Sequence, residues 1–268
     1  MLKDITLGQY FPGNSIAHKL DPRTKILLVT LYIIALFSAK GWMGYAVMAV
    51  TLAACVKVSH VGLRALVRGL KPLVFIIAFT GILNMFFTPD THYLWEWGIL
   101  RVSVKGIENA LFMVIRIMLL VMGTFLMTYT TSPIRLTDGL ESLLNPLKKI
   151  HVPVHELAMM MSIALRFIPT LIEETDKIMS AQKARGADFE TGNIFQRAKA
   201  LVPILVPLFI SAFRRADELA TAMECRCYHG GEGRTALRVL RYKAADYAVL
   251  AGFVVLTAGI IVLKKFGF

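Results

Sequence analysis

The segment that decides the class of fold runs from Ile107 to Thr131 and reads IENALFMVIRIMLLVMGTFLMTYTT. Its only charged residues are Glu108 and Arg116. A helix needs roughly 20 predominantly apolar residues to cross the hydrocarbon core of a bilayer, and this segment is long enough. We therefore predict a membrane-spanning helix here, with Arg116 facing other helices rather than lipid, because a lone charge in hydrocarbon is costly.

Further apolar stretches lie on both sides of this segment. They are Ile26–Ala39, Trp42–Val58, Pro72–Thr88 and Tyr247–Leu263. The first is short for a span, but Lys25 and Lys40 bracket it and are expected to reach outward and lengthen it. With 56% hydrophobic and 18% charged residues, the chain is far more apolar than an average soluble domain. The sequence predicts an all-α integral membrane protein with about five transmembrane helices.

Basic residues are distributed unevenly between the two sides of these spans. If the N-terminus is inside, the outside segments hold only Lys40, Arg101, Lys105, Lys264 and Lys265. The positive-inside rule therefore predicts a cytoplasmic N-terminus. The net charge of +12 reflects this topology rather than a nucleic-acid surface, because the basic residues lie between apolar runs. The three cysteines show no disulfide framework, which fits polar segments in a reducing cytosol.

Residues 132–243 separate the fourth span from the fifth and show helical periodicity with polar faces. Three long amphipathic cytoplasmic helices are predicted there. The first begins at Ser132 and is interrupted at Asn145, the second runs from Pro153 to Arg185 with a kink at Pro169, and the third starts near Ala198. The predicted domains are thus 1–131 with four spans, 132–243 in the cytoplasm, and 244–268 with the last span.

The second and third of these helices end alike. At an offset of 41 residues, DKIMSAQKARG (176–186) aligns with DELATAMECRC (217–227), and both place an arginine at the last turn, Arg185 and Arg226. A cation near a helix C-terminus complements the helix dipole and is usually solvated. Two such residues at matching positions, flanked by small residues, also fit insertion into a pair of similar pockets that offer carboxylates or carbonyls. The pattern by itself leaves both interpretations open.

Several short runs along the chain resemble one known family, the transmembrane T component of energy-coupling factor transporters. The triplet Ala184-Arg185-Gly186 and its second copy Cys225-Arg226-Cys227 resemble that family's pair of Ala-Arg-Gly motifs. GQYFPGNSIAHKLDPRTK (8–25) is similar to its N-terminal signature, as are RFIP (166–169) and GGEGRT (230–235) to other family segments. The resemblance covers nearly the whole chain.

This resemblance implies a transmembrane coupling subunit of an ATP-driven importer in a prokaryotic cell membrane. The subunit would link two ATP-binding cassette ATPases to a substrate-binding S component for a vitamin or micronutrient. ATP and Mg would be bound by the partner ATPases, and this chain would bind no cofactor and catalyse no reaction. The implied ATPase-docking residues are Ala184, Arg185, Gly186, Cys225, Arg226 and Cys227. Cys227 departs from the family's glycine, which would favour a left-handed cap.

Other polar and soft side chains are candidates for contacts within or between subunits. Arg116 is expected to be an interhelical anchor or an S-component contact, and Asn84 an interhelical hydrogen-bond partner. Met159, Met160 and Met161 border the predicted cytoplasmic helices and would suit a surface that re-packs against different S components.

Alternative interpretations have weaker support. Cys225, Cys227 and His229 lack the second ligand pair that a zinc site needs, so no metal is predicted. The run 230–235 lacks the Gly-Lys-Ser/Thr ending of a phosphate-binding loop. An integral membrane enzyme acting on lipids would need a convergent catalytic set, which only His151, His155 and Glu156 approach. A secondary transporter is also disfavoured, because there is no internal membrane repeat.

Overall fold

The computed structural model of the chain describes residues 10–88, 93–97, 100–189, 191, 193–230 and 239–265. The chain divides into two compact units, with the divisions between residues 140 and 141 and between 239 and 240. We call the described residues up to 140 together with 240–265 the span unit. We call the described residues from 141 to 239 the hairpin unit. The predicted domain boundaries concern the membrane and stay a prediction.

The span unit is a bundle of helices with one short β-hairpin. Its helices are α1 (Ile16–Lys19), α2 (Pro22–Ser38), α3 (Gly41–Ser59), α4 (Leu63–Leu70), α5 (Val74–Phe87), α6 (Val104–Thr130) and α10 (Ala244–Lys265). The helix α7 (Pro133–Leu144) begins in this unit and continues past residue 140. Lys71–Leu73 form a 3-10 turn between α4 and α5. The antiparallel strands β1 (Tyr93–Trp97) and β2 (Leu100–Ser103) connect α5 to α6, with Tyr93 opposite Ser103.

All five apolar stretches that were predicted as spans are helical. Among the described residues, six helical segments are long and apolar enough to cross a membrane: Gly41–Ser59, Leu63–Phe87, Val104–Thr130, Val154–Ala184, Phe195–Glu224 and Ala244–Lys265. The 17-residue α2 is shorter than these. The prediction of an all-α integral membrane protein is confirmed.

The core of the span unit lies where α2 meets α3, α6 and α10. Leu36 and Met48 are fully buried there, and Leu119 and Ile260 pack into the same cluster. Tyr32 reaches across from α2 and donates its hydroxyl hydrogen to the carbonyl oxygen of Leu119 at 2.9 Å. Large apolar side chains thus close the bundle, and the buried phenol of Tyr32 has the acceptor that its burial requires.

Charged side chains join the beginnings of α2 and α10 and the end of α6. Asp246, at 2% exposure, accepts hydrogen bonds from the backbone N–H of Asp21 at 2.9 Å and of Lys243 at 2.8 Å. The ammonium of Lys25 donates to the carbonyl oxygen of Thr130 at 2.9 Å. The expectation that Lys25 reaches outward was wrong, because it satisfies a carbonyl that the last turn of α6 leaves without a helical donor.

The hairpin unit contains two long helices, α8 (Val154–Ala184) and α9 (Ile194–Glu224), preceded by the 3-10 turn Asn145–Ile150. The first predicted amphipathic helix, α7, is interrupted at Asn145 as expected and has only 12 residues. The third starts four residues earlier than Ala198, because Asn193 and Gln196 form a reciprocal capping box at its N-terminus.

Candidate functional site

The end of α8 is closed by a Schellman cap. The backbone N–H of Gly186 donates to the carbonyl oxygen of Lys183, and that of Ala187 donates to the carbonyl oxygen of Gln182, both at 3.0 Å. Gly186 has a φ of +87°, the left-handed conformation that this cap needs. The cap therefore fixes where the helix stops, and Arg185 is the residue immediately before the left-handed position.

The end of α9 is closed by the same pair of hydrogen bonds, 41 residues later. The N–H of Cys227 donates to the oxygen of Glu224 at 2.8 Å, and that of Tyr228 donates to the oxygen of Met223 at 3.0 Å. Cys227 has a φ of +54° and so adopts the left-handed conformation despite its side chain. The departure from glycine thus leaves the cap intact, and Arg226 occupies the same position in its cap as Arg185.

Both arginines are exposed. The flanking residues Ala184, Gly186, Cys225 and Cys227 are exposed as well, so each arginine has small exposed neighbours in the chain. Within the described part of the chain, neither Arg185 nor Arg226 takes part in a hydrogen bond or ion pair through its side chain. Two cations at matching positions are therefore free to bind acidic groups of another protein.

An ion pair connects the two long helices at equivalent positions of the repeat. Arg215 Nη2 of α9 lies 2.8 Å from Glu174 Oε2 of α8, and residues 174 and 215 are again 41 apart. Similarity between the two copies of the repeat does not reveal this pair, because the two positions are complementary in charge rather than similar. A search of the repeat for opposite charges, instead of identities, would have found it.

A second contact shows that α8 and α9 are antiparallel. The side-chain amide of Gln182 donates to the carbonyl oxygen of Pro203 at 3.4 Å. The contacting residue of α8 moves forward from 174 to 182, whereas its partner in α9 moves backward from 215 to 203. Within α9 that carbonyl would normally accept the N–H four residues on, but Pro207 has none. Gln182 supplies the missing donor, and this contact too was not anticipated.

The two arginines are equally far, along their own helices, from the ion pair between Glu174 and Arg215. Arg185 follows Glu174 by eleven residues and Arg226 follows Arg215 by eleven, which corresponds to about 16 Å of helix in each case. Because the helices are antiparallel, the two tips lie on opposite sides of the ion pair. The hairpin unit therefore presents two similar basic ends, related by an approximate two-fold arrangement about Glu174 and Arg215.

The thiols near the second tip are free. Cys225 and Cys227 are both exposed and unpaired, and His229 is exposed beside them. Among the described residues, no group of three or more His, Cys, Asp or Glu side chains is placed to hold a metal ion. Of the segment 230–235, only Gly230 lies within the described residues.

The two polar residues predicted inside the spans differ in their contacts. Arg116 of α6 donates from Nε to the hydroxyl of Tyr45 of α3 at 2.9 Å, so it connects two helices of the span unit. Asn84 instead donates to the carbonyl oxygen of Thr80 in its own helix at 3.0 Å. Its side chain makes no hydrogen bond to another helix within the described residues, and the expected interhelical bond stays a prediction. A side-chain amide lies close to the carbonyl four residues earlier in its own helix, so it reaches that carbonyl more easily than it reaches a group on a neighbouring helix.

The remaining candidates lie at the beginning of α8. Met160 and Met161 are about half exposed and Met159 is partly buried. His155, one of the residues considered for a lipid-acting enzyme, contacts Glu141 through Nδ1 at 2.8 Å. His151 is exposed at a left-handed position that ends the preceding 3-10 turn.

The fold and these helix ends define a class, a multi-pass helical membrane protein with two long amphipathic helices. The family model described as "Cobalt transport protein" matches residues 13–237. Similar relatives are the proteins named energy-coupling factor transporter transmembrane protein EcfT from Ruminiclostridium cellulolyticum (52% identity over 98% of both chains) and Bacillus subtilis (47% over 98% of this chain and 100% of the relative). A third, from Acidaminococcus fermentans, is 56% identical over 96% of this chain and 94% of the relative.

The chain therefore belongs to the EcfT family, the transmembrane components of energy-coupling factor transporters. The resemblance seen in the sequence is confirmed. Membership in this family also favours a transporter component over the lipid-acting enzyme and the secondary transporter.

Proposed function

We propose that this chain is the coupling subunit of its transporter, with Arg185 and Arg226 as the docking points for two ATP-binding cassette ATPases. The observation that supports this proposal most directly is the pair of matching Schellman caps, each of which presents an exposed arginine. A guanidinium pairs with a carboxylate through two parallel hydrogen bonds, so each tip suits an acidic groove. Two similar tips suit two similar partners.

The flanking residues have a supporting role in this proposal. An added Cβ at Gly186 would meet no other atom within 4 Å, so the space beside the first arginine is open to a partner. Ala184, Cys225 and Cys227 have side chains short enough to let a partner surface approach the guanidinium. These four residues thus shape each docking point, while the arginines supply its charge.

The antiparallel arrangement of α8 and α9 provides a route for coupling. When the two ATPases close on ATP, Arg185 and Arg226 are carried relative to each other, because each is held by a different ATPase. The helices then turn about their contact at Glu174 and Arg215, and their other segments move a bound S component. ATP and Mg are bound by the ATPases, and the chain itself performs no chemical step.

The S component is proposed to contact the beginning of α8. Met160 and Met161 are exposed at 53% and 47%, and methionine side chains adapt to partners of different shape. Arg116 is half-buried and donates a hydrogen bond to Tyr45, which supports its proposed role as an interhelical anchor. In this proposal the N-terminus and the hairpin unit lie on the cytoplasmic side, where the ATPases are.

The test is co-purification of ATPase subunits with the full chain after expression of the whole transporter. We compare the unchanged chain with Arg185→Glu/Arg226→Glu and with a matched control, Lys149→Glu/Arg214→Glu. The control reverses the same number of charges at exposed residues of the hairpin unit outside both tips. Loss of the ATPases only from the first variant, with equal membrane insertion of all three, supports docking at the tips. Equal ATPase recovery from all three chains refutes it.

A second variant separates charge from hydrogen-bond geometry. Arg185→Lys/Arg226→Lys keeps both charges but removes the planar fork of the guanidinium. Intermediate recovery of the ATPases is expected if the arginines bind carboxylates in pairs of hydrogen bonds. Full recovery would show that charge alone is recognised.

A further inference from the structure

The short helix α4 is held firmly against α6 by one of its faces. Leu66 is fully buried, and Gly69 lies so close to Phe125 that an added Cβ would approach the phenyl ring to 2.5 Å. The hydroxyl of Tyr129 lies 3.4 Å from the carbonyl oxygen of Ala65. One side of α4 is therefore fixed at the level of residues 125–129 of α6.

The opposite side of α4 is exposed, and an apolar stripe lies there beside a row of basic side chains. Leu63 and Val67 are 62% and 54% exposed and form an apolar stripe at a spacing of four residues. Beside them Arg64, Arg68 and Lys71 follow each other at spacings of four and three, and all three are exposed. No ion pair or hydrogen bond within the described residues involves these three side chains.

A groove of about 850 Å³ begins at these cations and continues along the spans. Beyond α4 it is lined by Val74, Ile77 and Ala78 of α5 and by Val114 and Met118 of α6. Gly81 of α5 packs against Val114, so the lining follows α6 from the level of α4 back toward its middle. From residue 125 to residue 114 this is about 16 Å of helix.

We infer that this groove binds an anionic phospholipid. Its phosphate would lie among Arg64, Arg68 and Lys71, and one acyl chain would follow the apolar lining toward the middle of the spans. The anionic headgroup of the lipid would thus contact cations, and its acyl chain would contact apolar side chains. A transmembrane helix of another protein in the groove would cover the apolar lining but leave three cations without anions.

Arg64 and Arg68 also line a neighbouring cavity of about 780 Å³. Ser15 and His60 contribute polar groups to that cavity. A lipid headgroup larger than a bare phosphate therefore has space beside the two arginines.

The test uses the full chain in nanodiscs of equimolar phosphatidylglycerol and phosphatidylcholine, with retained lipids counted by native mass spectrometry. The unchanged chain is expected to retain phosphatidylglycerol preferentially. Arg64→Gln/Arg68→Gln/Lys71→Gln should lose this preference, by about fivefold for each cation removed. The control Lys148→Gln/Lys149→Gln/Arg197→Gln removes the same charge from exposed positions of the hairpin unit and should keep the preference. Equal loss in both variants would mean non-specific attraction and would overturn the proposal.

Two further arms distinguish a lipid from a free anion and from a folding defect. Ala78→Trp fills the apolar groove without changing any charge and should reduce phosphatidylglycerol retention, whereas added inorganic phosphate should not displace the lipid. Displacement by phosphate, or full retention in Ala78→Trp, would mean that the cations bind soluble anions and no acyl chain. Arg64→Lys/Arg68→Lys keeps the charges and should keep most of the preference, and its loss there would overturn the proposal.

Discussion

The ends of α8 and α9 have the same backbone geometry but different residues. Gly186 closes the first end and Cys227 closes the second, and each cap makes the same two backbone hydrogen bonds. Glycine adopts the left-handed conformation freely, whereas a residue with a Cβ does so at a cost of about 1 kcal/mol. The comparison teaches that the cap, rather than the Ala-Arg-Gly triplet, determines where each arginine is presented. Identical residues at the second end are not required.

The largest effect is expected from reversing one arginine at a time. Arg185→Glu and Arg226→Glu should each weaken binding of one ATPase about 30-fold, because repulsion would replace the proposed bidentate contact. The measurement is the affinity of the purified ATPase pair for each single variant in detergent. If only one of the two variants weakens binding, the two tips have different functions and the comparison fails.

Substituting the left-handed residue should change the stability of the two caps in opposite directions. Gly186→Ala is expected to destabilise the end of α8 by about 1 kcal/mol, and Cys227→Gly to stabilise the end of α9 by a similar amount. Hydrogen exchange of the amides at 186–187 and 227–228 measures both changes. Ala184→Ser, next to the cap but outside the left-handed position, is the control and should alter neither rate by more than about twofold. Slower exchange in Gly186→Ala would contradict the role of its φ.

The crossing ion pair should contribute about 0.5 kcal/mol, because both side chains are partly exposed. Glu174→Gln and Arg215→Gln should therefore each lower the free energy of unfolding slightly, with a coupling energy of that size in the double-mutant cycle. The charge swap Glu174→Arg/Arg215→Glu should recover most of the loss, as measured by denaturation of the chain in detergent. A coupling energy of zero would mean that the helices are held by other contacts.

The smallest effect on stability is expected from removing the side-chain amide of Gln182, which replaces the N–H that Pro207 lacks. Gln182→Leu should destabilise the contact between the helices by a few tenths of a kcal/mol, because the carbonyl of Pro203 then has no donor. In a Pro207→Ala background, the helix supplies its own N–H and the same substitution should have almost no effect. Hydrogen exchange across the 199–207 segment detects the difference. An equal effect in both backgrounds would show that Gln182 acts in another way.

Much of the fold was predictable because the membrane imposes a simple rule. Apolar stretches long enough to cross hydrocarbon must be helical, since helices satisfy their own backbone hydrogen bonds. For this reason all five predicted spans correspond to helices. The prediction failed for Lys25, because a rule about length cannot tell whether a flanking cation reaches outward or fills an acceptor at the end of another helix.

The repeat likewise made the two arginines predictable but left their environment open. The 41-residue offset aligned Arg185 with Arg226, since helix ends leave a local signature in sequence. It left open how Cys227 would end its helix. The answer came from the backbone hydrogen bonds that form once the last turn is complete.

The amino-acid sequence by itself determined the membrane class, the positions of the apolar helices and the two arginine-bearing ends, because hydropathy and helix termini are properties of short segments. Only the tertiary structure decided that Glu174 meets Arg215, that Gln182 serves Pro203, and that α4 presents its cations beside an apolar groove. Those contacts join residues from different helices, and their formation depends on how whole helices pack. No periodicity within one helix contains that information.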